Sequence, residues 1–439
     1  DLMAVQRGNP LPRHKHLSRK EVHRRAPALA SHTYRGAIVY SDASVDDARY
    51  VISAARTAAG LGALILTSAR VTGILRTDDR VSGVVVKCLE TGQKFNVSCG
   101  TVVNATGVWS DDIEAYAGAR TSRVRASKGI HLLIPRNRIN LQSGLILRTR
   151  ESVLFVIPWD QHWIVGTTDT DWNLDRAHPA ASEKDINYLL STLNNVLNTP
   201  LHSGDVVGVY AGLRPLLAGE SDQTSELSRE HAVSISAPGL VSISGGKYTT
   251  YRVMASDTVD AVALDQDLDL PASNTASVPL IGAVGYSKVR SETAKLSKQT
   301  GLSMEVIDHL ISRHGDRVGE ILELISDDAD LARPITSEFP YLRAEVIHAV
   351  RSEAALHLED VLTRRTRLSV QTWDRGTESA RQVAVLMAPE LGWSLDTIDN
   401  EVDHYLRRVA SERESNAQSD DQTADATRLG ANDVRRGIS

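Results

Sequence analysis

Residues 240–252 read as a strand, Leu240 to Ser244, that runs into the paired glycines Gly245 and Gly246. Lys247, Tyr248, Thr249, Thr250, Tyr251 and Arg252 then open a helix. A strand, a glycine pair and a helix in that order confine this part of the chain to an α/β arrangement with backbone brought close to a ligand. Glycine has no Cβ to hold a ligand off, and the free N–H groups at a helix start, aided by the dipole, face negative charge. A Walker A loop is excluded, because G-x-x-x-x-G-K-[ST] needs Gly at 241 and Ser or Thr at 248, where Val241 and Tyr248 stand. The bland reading of the same text is a helix entry on a glycine hinge.

The 439 residues suffice for two or three domains, and 41% hydrophobic with 24% charged residues is ordinary globular composition. A net charge of -6 gives no overall case for nucleic acid. The two cysteines, Cys88 and Cys99, form neither a C-x-x-C nor a zinc spacing, which suits a reducing cytoplasm. No apolar run is long enough to span a bilayer, and no secretory signal opens the chain. It begins at Asp1 rather than Met and reads as mid-domain text, so a missing N-terminal portion is expected.

Arg13 to Arg25 is a basic stretch, read as a solvated helix face ahead of a contact for anionic lipid headgroups. Ala37 to Tyr40 reads as a strand, Ser44 to Asp47 as a helix start, and Ala63 to Leu66 as a second strand, giving a βαβ unit. Strands at Val71–Arg76, Val81–Leu89 and Lys94–Cys99 make a meander, and Thr101 to Gly107 is a strand ending in a strand-to-helix turn. From Lys128 to Asp169 alternating strands imply a mostly antiparallel second sheet, interrupted by a capped helix at Ser182–Leu197. Residues 286–412 have helical period, and Ser411 to Ser439, poor in residues that could be buried, is expected to be disordered. No metal-ligand cluster, G-x-S-x-G elbow or aromatic-basic nucleic-acid face is found.

Several stretches point one way. They are Tyr40-Ser-Asp42 with Val45-Asp-Asp-Ala-Arg49; Asn104-Ala-Thr-Gly107; Lys128-Gly-Ile-His131; Val156-Ile-Pro-Trp159; Gly166-Thr-Thr-Asp169; Gly212-Leu-Arg-Pro215; and Gly245 to Arg252. Glu359-Asp-Val-Leu-Thr-Arg-Arg-Thr-Arg367 is similar to a further signature. Together they resemble the FAD-dependent glycerol-3-phosphate dehydrogenases of the glycine-oxidase-like flavoprotein superfamily. The family's opening G-x-G-x-x-G turn has no counterpart: Gly60-Leu-Gly62 continues to Ile65 and lies between a helix and a strand, the wrong order.

The resemblance implies an α/β fold. A partial FAD-binding Rossmann-like domain with its β-meander spans 1–120 and returns at 216–265; a mostly antiparallel substrate-domain sheet spans 121–215. A linker at 266–285, a C-terminal all-helical domain at 286–412 and a disordered tail at 413–439 complete it. The implied cofactor is FAD, and the implied reaction is oxidation of sn-glycerol 3-phosphate to dihydroxyacetone phosphate with electrons passed to quinone. The alternatives are an oxygen-using glycerophosphate oxidase and a non-catalytic fragment unable to hold FAD. A cytoplasmic protein, peripheral on the inner face of the cell membrane, and a homodimer are further expectations.

The family's site residues carry over as follows. His131 matches the base, a role suited to an imidazole that titrates near working pH. Arg214 and Arg229 match the substrate arginines, whose planar forks grip phosphate with two donors. Lys247 would face the flavin edge as a second catalytic residue, while Gly245, Gly246, Thr249 and Thr250 hold the cofactor there. Asn104, Ala105, Thr106 and Gly107 would line the dinucleotide crevice. Asp169 is as easily a turn residue, and no metal is expected.

Overall fold

A computed structural model describes residues 12–119, 124–148, 153–218, 230–431 and 434–435. In chain order the strands are β1 (Lys15–Ser18), β2 (Gly36–Val39), β3 (Ala69–Thr77), β4 (Arg80–Cys88), β5 (Lys94–Ser98) and β6 (Val102–Asn104). They continue with β7 (Val124–Pro135), β8 (Leu145–Arg148), β9 (Val153–Trp159), β10 (His162–Gly166), β11 (Thr170–Trp172), β12 (Gly208–Leu217), β13 (His231–Ala237) and β14 (Leu240–Gly245).

β7 is the axis of the largest sheet. It pairs with β12 along one edge and with β10 and then β11 along the other; β9 and β8 follow β10, and every pairing is antiparallel. Because side chains alternate across a strand, Ile130, Leu132 and Ile134 share one face. That face meets Ile186, Leu189, Leu190 and Leu193 of the Glu183–Asn194 helix in the main core. A side chain such as Leu189, wholly withdrawn from water, contributes roughly 1.5–3 kcal/mol. Ser182 starts the helix, its N–H donating to Asp185 Oδ2 at 3.1 Å. The opposite face, with Gly129 and His131, is left for chemistry.

The second sheet is small. β14 runs parallel to β6 and antiparallel to β13, so the glycine pair and the Asn104 to Gly107 turn emerge at the same carboxyl edge. β3, β4 and β5 form the expected meander.

Three expectations fail. Residues 63–66 form no strand, with Leu64 99% exposed. Strand structure needs a neighbouring edge to bond, and β2, the other half of the expected βαβ unit, pairs antiparallel with β1. Residues 15–39 fall in the 1–120 span expected for the cofactor-binding domain, but Val22 and Leu29 belong to the core beneath β7. The tail is not disordered over 413–429. One helix runs Leu395–Asn416, and another, Asp421–Leu429, packs against the substrate sheet.

The physical reason for the ordered tail is pairing of charges. Lys128, fully buried, donates to Asp185 Oδ2 and Asp421 Oδ1, both at 2.6 Å, and lies 4.8 Å from the Trp172 ring centre. Arg428 pairs with Glu412, and Ala424 joins a small core with Val108 and Trp172. Composition counts apolar side chains and misses such anchors. The helical domain itself has two apolar cores, centred on Leu310 and Ile321 and on Val361 and Val383.

Candidate active site

The face of β7 that turns away from the core carries Ser127, Gly129 and His131, opposite Arg214, Gly212 and Tyr210 of β12. With Gly166 of β10 paired to His131 on the other edge, three of the sequence motifs lie side by side. Their glycines are spaces. A Cβ on Gly129 would lie 2.5 Å from Arg214 Nη2 and 2.6 Å from Thr167 Oγ1, so this glycine makes room for the guanidinium. A Cβ on Gly166, opposite His131 on β10, would collide with the imidazole Cδ2 and lie 2.9 Å from Nε2. A Cβ on Gly212 would touch nothing within 4 Å, leaving a hollow over the strand pair with His131 at one end and Arg214 at the other.

Arg214 is held in place. Its Nη1 donates to the Thr168 carbonyl at 3.2 Å and its Nη2 to Thr167 Oγ1 at 3.0 Å. Asp169, on the same turn, accepts from Ser127 Oγ, the side chain opposite Arg214 on the strand pair. His131 stacks on Tyr210, ring centres 5.0 Å apart and planes 15° off parallel. Burial, reinforced by the Arg214 charge and opposed by Asp47, pushes the imidazole down to about 4. The expected titration near working pH is thereby overturned: at neutral pH the ring is uncharged with a lone pair to accept a proton, but it is a weaker base than an ordinary imidazole. Burial pushes the Tyr210 hydroxyl up to about 12, so it stays protonated.

The glycine turn at the end of β14 is left-handed at both residues, φ 75° at Gly245 and 85° at Gly246. Any side chain would also collide there: a Cβ would lie 2.6 Å from the Glu230 carbonyl at the first and 2.5 Å from Met254 Sδ at the second. Lys247 follows, exposed, and the chain enters one turn of 3-10 helix before the Tyr251–Gln266 helix. Thr250 uses its N–H and Oγ1 to close this turn on the Lys247 carbonyl, both at 3.0 Å. Thr249 is exposed beside it.

Gly107, with φ 61°, comes within 3.9 Å of Pro215 Cγ when given a Cβ, which sets the β6 turn against the Gly-Leu-Arg-Pro motif. Ala105 and Thr106 are exposed at this turn. Asn104 corrects its expectation. Its side chain is buried, donating to the Ser110 carbonyl at 3.0 Å and Ser242 Oγ at 3.3 Å, and accepting from Thr106 Oγ1 at 2.7 Å. It builds the turn and does not line a crevice. Arg229 lies outside the described residues.

Asp47 and Tyr248 lie within the sequence motifs, which give them no role. The Asp47 carbonyl accepts from the Tyr248 hydroxyl at 3.2 Å, and its carboxylate acts electrostatically on both His131 and Tyr210. Asp47 is thus where the glycine turn and the hollow meet. The signal was present as the Asp46-Asp47 pair, but spacing could not say what it faced.

Two other groupings are structural. A cavity of about 550 Å³ beside the Asp47–Gly60 helix is lined by Arg49, Arg56, Arg313 and Arg317. Each guanidinium is already paired, with Glu353, Glu320, Glu345 and Glu320 respectively, which leaves little attraction for an anion. His314, His348 and Glu353 lie close enough to hold a metal ion. Arg49 Nη2 is 2.7 Å from Glu353 Oε1 and 3.2 Å from His314 Nδ1, so a fixed cation already stands there.

The chain fits the flavin end of FAD. A tight glycine turn at a carboxyl sheet edge, packed so closely that any Cβ would strike protein atoms and followed by an exposed lysine, suits a planar ring whose edge gains negative charge. Gly60-Leu-Gly62 does not fit the pyrophosphate, because Gly60 is the last residue of a helix and no strand adjoins the turn.

Residues 1–252 match the family described as FAD dependent oxidoreductase, and residues 273–398 match the C-terminal domain of alpha-glycerophosphate oxidase. Glycerol-3-phosphate dehydrogenase 2 of Mycobacterium tuberculosis is 48% identical over 429 residues, 98% of this chain and 73% of the relative. The human mitochondrial glycerol-3-phosphate dehydrogenase is 34% identical, over 86% of this chain and 54% of its own length. The crystal structure of the Bacillus halodurans glycerol-3-phosphate dehydrogenase complexed with FAD superposes with a TM-score of 0.79 at 26% identity, covering 90% of this chain and 79% of that one. The glycine-cleared hollow, the flavin-end cradle and these matches agree: the chain belongs to the FAD-dependent glycerol-3-phosphate dehydrogenase family.

Proposed function

We propose that the chain oxidises the secondary alcohol of sn-glycerol 3-phosphate to the ketone of dihydroxyacetone phosphate. The observation that carries this reading is the hollow over Gly212, with an uncharged imidazole at one end and a fixed guanidinium at the other. FAD, when bound, supplies the hydride acceptor. Arg214 grips an anionic oxygen of the substrate, fixing the reach of the alcohol toward His131. His131 accepts the hydroxyl proton at a ring nitrogen as the C–H hydride leaves, so that the C–O bond becomes a carbonyl. Lys247 would place positive charge where the flavin edge lies.

Quinone is the proposed electron acceptor, reached from a membrane surface that the exposed basic residues between Arg13 and Arg25 contact. Among the described residues no helix is long and apolar enough to cross a membrane. The experiment uses the FAD-loaded protein with anionic vesicles carrying a quinone analogue. Reduction of the quinone without hydrogen peroxide, by protein that sediments with the vesicles, is expected. Peroxide formation would make the protein an oxidase, and failure to sediment would remove the membrane contact. A protein that stays colourless with added FAD would sink the catalytic reading.

A further inference from the structure

The signature Glu359–Arg367 lies in the helical domain, far in sequence from every residue of the hollow, and the proposed chemistry leaves it without a task. Residues Asp360–Arg365 form a π-type turn, with the Thr366 N–H donating to the Val361 carbonyl at 2.8 Å. Such widened turns recur at functional sites because they re-aim the residues that follow. Here the turn directs Arg365 back onto the Glu353 carbonyl and sends Arg367 across to the Asp47–Gly60 helix. Arg367 Nη2 donates to Asp46 Oδ1 at 3.0 Å and Asp47 Oδ1 at 2.7 Å, a contact 321 and 320 residues away in sequence.

Asp46 is the N-cap of that helix, accepting from the Arg49 N–H at 3.1 Å. Asp47 is the residue whose carbonyl holds the Tyr248 hydroxyl. One nitrogen therefore ties the cap and the first residue of a helix whose other contact is the flavin-end turn. Arg313 also approaches, 3.8 Å from Asp46 Oδ2, but its closer partner is Glu345 at 2.9 Å. The Asp47 carboxylate is largely exposed, so an isolated Arg367–Asp47 pair would be weak. What matters is the bridge over two consecutive carboxylates, which fixes position.

We propose that Arg367 is a positioning residue for the candidate active site: by clamping Asp46 and Asp47 it holds the helix start in the register at which Asp47 meets Tyr248. The helical domain then acts on the site through the Asp47–Gly60 helix, and is more than an appended module. The kinetic part of this inference rests on the proposed glycerol 3-phosphate oxidation; the structural part does not.

The test is hydrogen exchange by mass spectrometry on the full chain, with Arg367→Ala, Arg367→Lys and Arg56→Ala. Arg56 joins the same helix to Glu320 of the helical domain at its far end, so it controls for a merely structural seam. Exchange over residues 46–50 and 247–251 is expected to rise about tenfold in Arg367→Ala, to stay near wild type over 247–251 in Arg56→Ala, and to recover in part in Arg367→Lys. In the FAD-loaded enzyme Arg367→Ala should lower kcat about tenfold, with less effect on KM, and Arg367→Lys should restore part of it. Unchanged exchange at 247–251 in Arg367→Ala, or an equal rise in Arg56→Ala, overturns the proposal. A wild-type holoenzyme that is not reduced by glycerol 3-phosphate would sink the reaction instead, while the exchange result still decides the role of Arg367.

Discussion

Gly166→Ala should cut the rate of flavin reduction by glycerol 3-phosphate about a hundredfold, because small misplacements of a reacting group cost rates of that order. The added methyl would collide with the His131 ring, and Tyr210, stacked at 5.0 Å, stands on that imidazole. The ring must leave its place or turn. Its proton equilibrium should move with it. In the native protein the His131 imidazole is held down to about 4, so if it is the base the proton-accepting form prevails above that pH and the rate should fall only as pH drops through about 4. An imidazole pushed toward water regains its ordinary range, and the acid limb should climb toward about 6.5. Stopped-flow absorbance across pH checks both effects, with thermal unfolding to confirm that the variant folds. A variant with the native rate and the native acid limb would remove His131 from the chemistry.

Arg214→Lys should raise KM for glycerol 3-phosphate about tenfold to a hundredfold. Charge-assisted hydrogen bonds contribute roughly 1.5–3 kcal/mol each, and an ammonium on a flexible stem cannot reproduce a planar fork. The guanidinium in this chain is braced by the Thr168 carbonyl and Thr167 Oγ1, so it meets the substrate already oriented. Gly129→Ala should act in the same direction by displacing the guanidinium with the arginine itself retained, since its methyl would lie 2.5 Å from Nη2. Steady-state kinetics with a soluble electron acceptor measures both variants. An unchanged KM in Arg214→Lys would take Arg214 out of the phosphate clamp.

Local order was the legible part of this fold. The meander strands, the capped helix after Ser182 and the strand running into Gly245 could be read because apolar alternation and turn residues act over a few positions. Neighbour relations were not. Nothing in Lys128-Gly-Ile-His131 says that Gly129 exists to admit Arg214, or that Gly166 exists to admit His131; only the pairing of β7 with β12 and β10 shows it. Arg367 was visible as a signature residue, yet its partners stand more than 300 positions away. The segment at 63–66 has strand composition and no edge to bond. The Asp421–Leu429 helix has the composition of a tail and is held by Lys128, a charge that apolar periodicity does not register.

The central claim is that the hollow between His131 and Arg214 binds glycerol 3-phosphate and delivers its hydride to FAD. Anaerobic mixing of the FAD-loaded protein with glycerol 3-phosphate tests it most directly. The visible absorbance of oxidised flavin should bleach as an equivalent amount of dihydroxyacetone phosphate forms. A flavin-loaded protein whose spectrum remains oxidised at saturating glycerol 3-phosphate would contradict the account.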